Sequence, residues 1–372
     1  MKILIAAGGT GGHIYPGLAI ADKFKEKIPE AEIVFVGSYV GMEKNIVPKE
    51  GYPLEFIRVR GFERELSLET LAAVKGIFDG MRDARKVLKK HQPDLVIGTG
   101  GFTCGPLLLQ AAKRGIPTMI HEQNAYPGKA NRMLGKKVDR VAISFMEAAQ
   151  YFPKEKIFLA GNPVRDAYKH VDRAACRASL GLADRQKMIV AMGGSQGAGS
   201  INAAVIHYMA THANDPETVI YHLTGRSQYA KVIGDLKEKG VDLKDGVSAL
   251  GNIHIIDYSN KVDLLLGAGD LVISRSGAMS IAEIAAVGIP SILIPYPMAA
   301  GNHQEFNARV ITDHGGGALI LDKDLTPERL EKEIDAILDD DARRLAMGEI
   351  TKQAAIYDAD LRFYEAALKV LK

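Results

Sequence analysis

Two glycine-rich turns, and the residues that follow them, carry the chemistry open to this sequence. Gly8-Gly9-Thr10-Gly11-Gly12 closes the apolar run Lys2 to Ala7 and is followed at once by His13, and Gly193-Gly194-Ser195-Gln196-Gly197 closes Lys187 to Met192. Such a turn lets the backbone approach a phosphate closely, and the helix that follows offers unpaired N–H groups and a partial positive charge. Neither turn has the Lys-Ser/Thr ending of a Walker loop, and neither spells the Gly-x-Gly-x-x-Gly dinucleotide fingerprint. Alone, either could be only a tight strand-to-helix connection. Two equivalent turns predict two phosphate-bearing ligands, or one ligand spanning both. At the start of a helix an imidazole is disfavoured as the cation, so His13 is expected to stay neutral near neutral pH, as a general base must.

The elements that hold these turns repeat. Residues 2–12 align without gaps on 187–197, a constant offset of 185 (187 less 2). Pro93 to Gly101 matches Gly269 to Gly277, and each is followed by a helical stretch, then Gly115-Ile116-Pro117 or Gly288-Ile289-Pro290, then another apolar run. Short apolar runs separated by amphipathic stretches are the mark of βα units with parallel sheets covered on both faces. The chain has 372 residues, beyond the roughly 250–300 at which single cores stop growing. The expected fold is therefore α/β, with two Rossmann-like domains whose sheets face each other across a cleft. Ligands of such sheets sit at the carboxyl ends of the strands. The boundaries expected are 1–163 and 164–354, with a terminal helix near 355–372 that could pack on either half.

Composition narrows the classes. A net charge of +2 gives no field for collecting nucleic acid, so an anionic surface would have to be met through a local patch. Two cysteines make no disulfide framework and lack partners at metal-ligand spacing, which fits a reducing cytosol. The N-terminal apolar run breaks at Gly8 and reads as a strand rather than a signal peptide, and no run reaches the roughly 18 apolar residues needed to cross a bilayer. Asp322-Lys323-Asp324 and Asp358-Ala359-Asp360 read as solvated loop or helix-end charges. Neither a metal nor a cofactor is expected.

Gly8 to His13 with Pro16-Gly17, His121-Glu122-Gln123-Asn124, Gly161-Asn162-Pro163-Val164-Arg165, Gly193 to Ala198, Arg275-Ser276-Gly277-Ala278 with Glu283, and Asn302-His303-Gln304-Glu305 together resemble the MurG family. These are GT-B enzymes that convert lipid I to lipid II in peptidoglycan synthesis. The resemblance spans nearly the whole chain in the same order. It implies transfer of N-acetylglucosamine from UDP-N-acetylglucosamine to the 4-hydroxyl of the lipid-linked muramoyl sugar, with inversion and without metal. It also implies a peripheral protein on the cytoplasmic face of the bacterial membrane, meeting anionic lipid and possible cell-wall synthesis proteins.

Residue by residue, the resemblance implies that Ser195 and Gln196 meet the donor diphosphate, Arg165 the nucleotide, Glu283 the ribose diol, Ile256 the uracil through its backbone, and His303 or Gln304 the sugar. Ala278, Met279 and Ser280 at the head of the helix bearing Glu283 complete the donor set, with Asn124, Thr10, Gly11 and Gly12 reaching it from the first half. The acceptor pyrophosphate would meet Gly9, Thr10, Gly11, Gly12, Gly100 and Gly101. His13 is the candidate base or an anchor for the acceptor, and Glu122 is the rival base. The bland readings are a surface ion pair for Arg165 and a helix-end charge for Glu283.

Between Leu66 and Lys90 the residues Val74, Ile77, Phe78 and Met81 alternate with Lys75, Arg82 and Arg85, a basic helix suited to anionic headgroups or simply a helix facing its own core. Rival functions are a UDP-N-acetylglucosamine 2-epimerase, another GT-B glycolipid transferase, or a nucleotide-sugar sensor. The acceptor-half glycine loops weigh against the sensor.

Overall fold

A computed structural model of the chain describes residues 1–59, 68–194 and 196–371, with backbone alone for 68–77. The chain forms two compact units, Met1–Pro163 with Ile356–Lys372, and Val164–Ala355.

The first unit carries seven strands among the described residues, β1 (Lys2–Ala7), β2 (Glu32–Gly37), β3 (Leu54–Phe56), β4 (Leu95–Gly100), β5 (Thr118–Glu122), β6 (Arg140–Ile143) and β7 (Ile157–Leu159), in the order β3-β2-β1-β4-β5-β6-β7 and all parallel. Alternation along β1 divides its side chains between two cores. Ile3, Ile5 and Ala7 pack with Ile14, Leu18 and Phe24 of the helix Gly11–Lys27 and with Phe363 and Ala367 of the terminal helix Ala359–Val370. Leu4 and Ala6 pack with Ala84, Val87 and Leu88 of the helix Leu68–His91 and with Leu107 and Leu108 of Cys104–Ala112. Burial on both faces is why β1 reads as a continuous apolar run rather than an alternating one.

The second unit carries β8 (Lys187–Met192), β9 (Thr218–Leu223), β10 (Leu243–Lys244), β11 (Val247–Ser248), β12 (Ile253–Ile256), β13 (Leu271–Ser274), β14 (Ser291–Leu293) and β15 (Gly317–Leu319), in the order β10-β11-β12-β9-β8-β13-β14-β15. It is parallel except for the short β10-β11-β12 edge. β1 lies between β2 and β4 as β8 lies between β9 and β13, so the sequence repeat is also a topological one.

A buried ion network holds the back of this unit. Asp270, 4% exposed, meets Arg173 at 2.7 Å, Arg344 at 2.6 Å and Arg177 at 3.2 Å, and accepts the amide of Met188 at the start of β8. Three segments, the helix Arg173–Ser179, the start of β8 and the helix Asp341–Gln353, are fixed to one carboxylate.

Candidate functional site

The first glycine turn leaves β1 with Gly9 at φ +89°, and its counterpart leaves β8 with Gly194 at φ +82°. A side chain is disfavoured at either. Thr10 then takes an extended conformation as the N-cap of the helix Gly11–Lys27, so the amides of Gly11 and Gly12 open that helix where it has no internal acceptors for them. His13 follows in the first turn. Its carbonyl accepts from the buried hydroxyl of Thr99 on β4 at 2.8 Å, which ties the start of the helix to the neighbouring strand.

Gly9 itself is committed elsewhere. Its amide donates to Oε2 of Glu43 at 2.9 Å, and its carbonyl accepts from Met42 at 3.4 Å. Gly9 therefore shapes the turn, and its N–H is withdrawn from the set expected to face a pyrophosphate. The Gly100 amide likewise points at Sγ of the buried Cys104, at 3.1 Å. Glu43 was not singled out in the sequence because it stands alone in a helical turn, with no motif around it.

The segment His121 to Asn124 folds inward. His121 is 1% exposed, donates from Nε2 to the Gly161 carbonyl at 2.9 Å and accepts at Nδ1 from Gln123 at 2.9 Å, while burial pushes its pKa down to about 4. Asn162 donates to the Gln123 carbonyl at 3.0 Å and accepts from Ser144 at 2.8 Å, so two motifs 40 residues apart by that His121–Gly161 bond form one structure.

Glu122 is also 1% exposed. Its Oε1 accepts from the backbone and side chain of Asn124 (3.0 and 3.1 Å), and its Oε2 from Asn131 (2.9 Å) and the Gly128 amide (3.2 Å). Burial raises its pKa against the pull of those donors. With both oxygens enclosed and used, Glu122 brackets the loop that carries Asn124, which weighs against it as a base for a sugar hydroxyl.

In the second unit, Ser195 lies outside the described residues; Gln196 beside it is exposed. Arg165 caps the short helix Asp166–Lys169, and its guanidinium donates to the Tyr168 hydroxyl at 3.1 Å and lies 3.6 Å from Asp263. Glu283, on the helix Ala278–Val287, hydrogen-bonds Tyr168 and feels the charge of Arg165, but burial dominates and pushes its pKa up to about 7. Residues 165 and 283 thus enter one cluster joined by Tyr168, which sequence spacing gave no means of finding. Arg165 itself is exposed and keeps the surface ion pair with Asp263 as well as its bond to Tyr168.

Ala278, Met279 and Ser280 form the first turn of the same helix and are partly exposed. Ile256 ends β12, and its carbonyl already accepts from the amide and hydroxyl of Thr224, at 2.9 and 3.3 Å, so that part of its main-chain edge is used in closing the sheet. Gln304 accepts the Tyr296 amide on Oε1 at 2.9 Å, which turns its NH₂ group away from that bond. His303 is held by the Ala300 carbonyl at 2.9 Å.

Asp322 departs from expectation. It accepts from Arg275 at 2.5 Å and from Ser200 at 2.8 Å, and is a partner inside the Arg275-Ser276-Gly277-Ala278 motif rather than a solvated loop charge. Among the described residues no cluster of three or more His, Cys, Asp or Glu could hold a metal ion.

On the helix Leu68–His91, Phe78 is 73% exposed beside exposed Arg82. Val74, Lys75 and Ile77 have side chains outside the described residues. Met81 and Arg85 are drawn toward the neighbouring helix by Gln110, which donates to the Met81 sulfur at 3.7 Å and accepts from Arg85 at 2.9 Å. Among the described residues no helix is long and apolar enough to cross a membrane.

With this geometry in place, the chain can be set beside known proteins. Residues 3–143 match the glycosyltransferase family 28 N-terminal domain and residues 188–363 its C-terminal domain. A relative from Acetivibrio thermocellus, named UDP-N-acetylglucosamine–N-acetylmuramyl-(pentapeptide) pyrophosphoryl-undecaprenol N-acetylglucosamine transferase, is 43% identical over all of this chain and 99% of its own. The crystal structure of Acinetobacter baumannii MurG superposes with a TM-score of 0.80 at 25% identity, covering 99% of each chain. The UDP-N-acetylglucosamine 2-epimerase of Neisseria meningitidis, bound to UDP-N-acetylglucosamine, gives a TM-score of 0.68 at 13% identity over 99% of this chain and all of its own, a likeness of fold alone.

Proposed function

The chain belongs to the MurG branch of glycosyltransferase family 28, and from that membership we propose that it is a hexosyltransferase moving N-acetylglucosamine from its UDP carrier to the 4-hydroxyl of the muramoyl sugar of lipid I, giving lipid II. The paired glycine turns carry this reading, because the reaction needs two pyrophosphate-bearing substrates and each turn offers helix-opening amides to one.

The donor lies on the unit Val164–Ala355. Gln196 and Ser195 meet the diphosphate at the second turn, Arg165 neutralises it, and Glu283 in its carboxylate form accepts from the ribose diol. Ala278, Met279 and Ser280 present the head of their helix to the same ligand, Ile256 meets the uracil, and the free NH₂ of Gln304, with His303 beside it, meets the sugar. The acceptor pyrophosphate lies on the unit that begins at Met1, against Thr10, Gly11 and Gly12, with Gly100 and Gly101 shaping the adjoining loop; Asn124, held by Glu122, belongs to the donor set.

The acceptor oxygen attacks the anomeric carbon as its bond to UDP breaks, with inversion and an oxocarbenium-like transition state. The proton passes to His13, and the bonding electron pair leaves on the UDP oxygen. His13 is the proposed base, standing on the first helical turn after the glycines.

The association with membrane is peripheral, on the cytoplasmic face. Phe78 and Arg82 meet anionic headgroups, each cation near the surface contributing about 1 kcal/mol, and Val74, Lys75, Ile77, Met81 and Arg85 belong to the same stretch of sequence assigned to that patch. Other proteins of cell-wall synthesis are candidate partners.

The test is transfer of labelled N-acetylglucosamine from UDP to a short-chain lipid I analogue. Success with another glycolipid and failure with lipid I would change the acceptor. Release of UDP and N-acetylmannosamine from the donor alone would instead favour the epimerase.

A further inference from the structure

The side chain of Glu43 is completely buried, and among the described residues its hydrogen-bond partners are three donors of the surrounding chain. Oε1 accepts from the amide and hydroxyl of Ser38, at 2.7 and 2.8 Å, and Oε2 accepts from the amide of Gly9 at 2.9 Å. The Ser38 hydroxyl in turn accepts from the Gly41 amide at 3.2 Å. Glycines make room for the group. A Cβ at Gly37 or Gly41 would strike the Glu43 side chain, and one at Gly8 would lie 3.1 Å from Oε1. A buried carboxyl group must have its oxygens satisfied by the chain around it, and here that requirement ties two loops together.

That geometry controls one peptide. Glu43 takes the N–H of Gly9 and its neighbour Met42 donates to the Gly9 carbonyl, so residues 42 and 43 fix the left-handed residue of the turn from both ends. The direction of Gly9 sets where the next amides, at Thr10, Gly11 and Gly12, and the His13 ring are aimed. We propose that Glu43 is a positioning residue for acceptor binding, locking the first glycine turn so that its remaining amides converge on the pyrophosphate of the lipid-linked sugar. It never touches the substrate. This rests on the assignment of that turn to the acceptor.

Glu43→Gln keeps the shape of the side chain but cannot accept both Ser38 and Gly9, because one oxygen becomes an NH₂ donor. The expected result is a rise of about tenfold or more in the KM for the lipid I analogue with the KM for UDP-N-acetylglucosamine within about twofold of wild type, a split that general loosening of the fold does not produce. Gly41→Ala supplies a second route. Its new methyl displaces Oε2 while the carboxylate and its charge remain, at a residue with ordinary φ, and the same acceptor-selective rise is expected. If Glu43→Gln does not accumulate in folded form, Gly41→Ala carries the readout.

Wild-type values for both substrates in a folded variant would overturn the proposal, as would donor and acceptor KM rising together. A wild-type enzyme that glycosylates no lipid I analogue would instead sink the acceptor assignment, whatever Glu43 does.

Discussion

The imidazole of His13 lies directly on the backbone of Gly100, so close that a Cβ on residue 100 would stand 2.6 Å from Nδ1 and 2.8 Å from Cγ of the ring. The ring on the first turn of one helix is thus placed by the end of the neighbouring strand β4, whose Thr99 also holds the His13 carbonyl. Gly100, at φ +124°, is required twice, for its conformation and for the space it leaves.

Substitution at this contact separates placement from chemistry. His13→Ala should lower kcat at saturating substrates by about two orders of magnitude or more, the range lost with a general base. Gly100→Ala, which keeps the imidazole but drives it from its seat, should lower kcat by a smaller factor. Near-normal kcat in His13→Ala would remove the ring from the chemistry and leave it an anchor.

Donor affinity should depend on pH through Glu283. Burial holds its pKa at about 7, above the ordinary 4.5, so the free protein keeps this carboxyl protonated through much of the acid range. In the proposed donor site the ribose diol needs the carboxylate, so the Kd for UDP-N-acetylglucosamine should rise as pH falls below 7, approaching about tenfold per unit. The same shift acts on folding with a definite sign. Between 4.5 and 7 the folded state binds the proton that the unfolded state has lost, so this group's contribution to stability falls as pH rises through that window and is lowest above it. Calorimetric titration from pH 5.5 to 8.5 on wild type and Glu283→Gln checks the first point, the variant being expected to bind weakly at every pH without the slope. A slope that survives in the variant would assign it to another group.

Asp270→Asn should cost about 3 kcal/mol or more, because it leaves Arg173, Arg177 and Arg344 around a neutral amide in a site where the acid is 4% exposed. Urea unfolding monitored on the full chain measures it. A midpoint within error of wild type would show that solvent already reaches the network.

Phe78→Glu should reduce sedimentation with anionic vesicles by about tenfold and leave transfer to a detergent-soluble acceptor unchanged, since it places a charge where the exposed ring is offered to the headgroup layer. Equal binding of both proteins to neutral and anionic vesicles would dismiss the helix Leu68–His91 as the docking element.

The βα repeat and the family were legible in the sequence because burial on two faces of a parallel sheet writes itself as local apolar runs, and because left-handed turns demand glycine at fixed places, as Gly9 and Gly194 show. The same locality explains what was missed. Glu43 meets Gly9 across 34 residues, Thr99 meets His13 across 86, and Tyr168 joins Arg165 to Glu283 from a helix with no motif. Hydrogen bonds between residues distant in the chain leave no periodicity.

Residue type also misled in two places. Glu122 stands in a motif that made it the rival base, yet it is enclosed and holds four donors that bracket a loop. An Asp-x-Asp read as solvated hides the partner of Arg275. Sequence alone determined which backbone shapes and which functional groups this protein has. Whether a group is open to substrate, and which half the terminal helix joins, were decided only by tertiary packing, because burial and long-range partners belong to the folded surface and to no segment by itself.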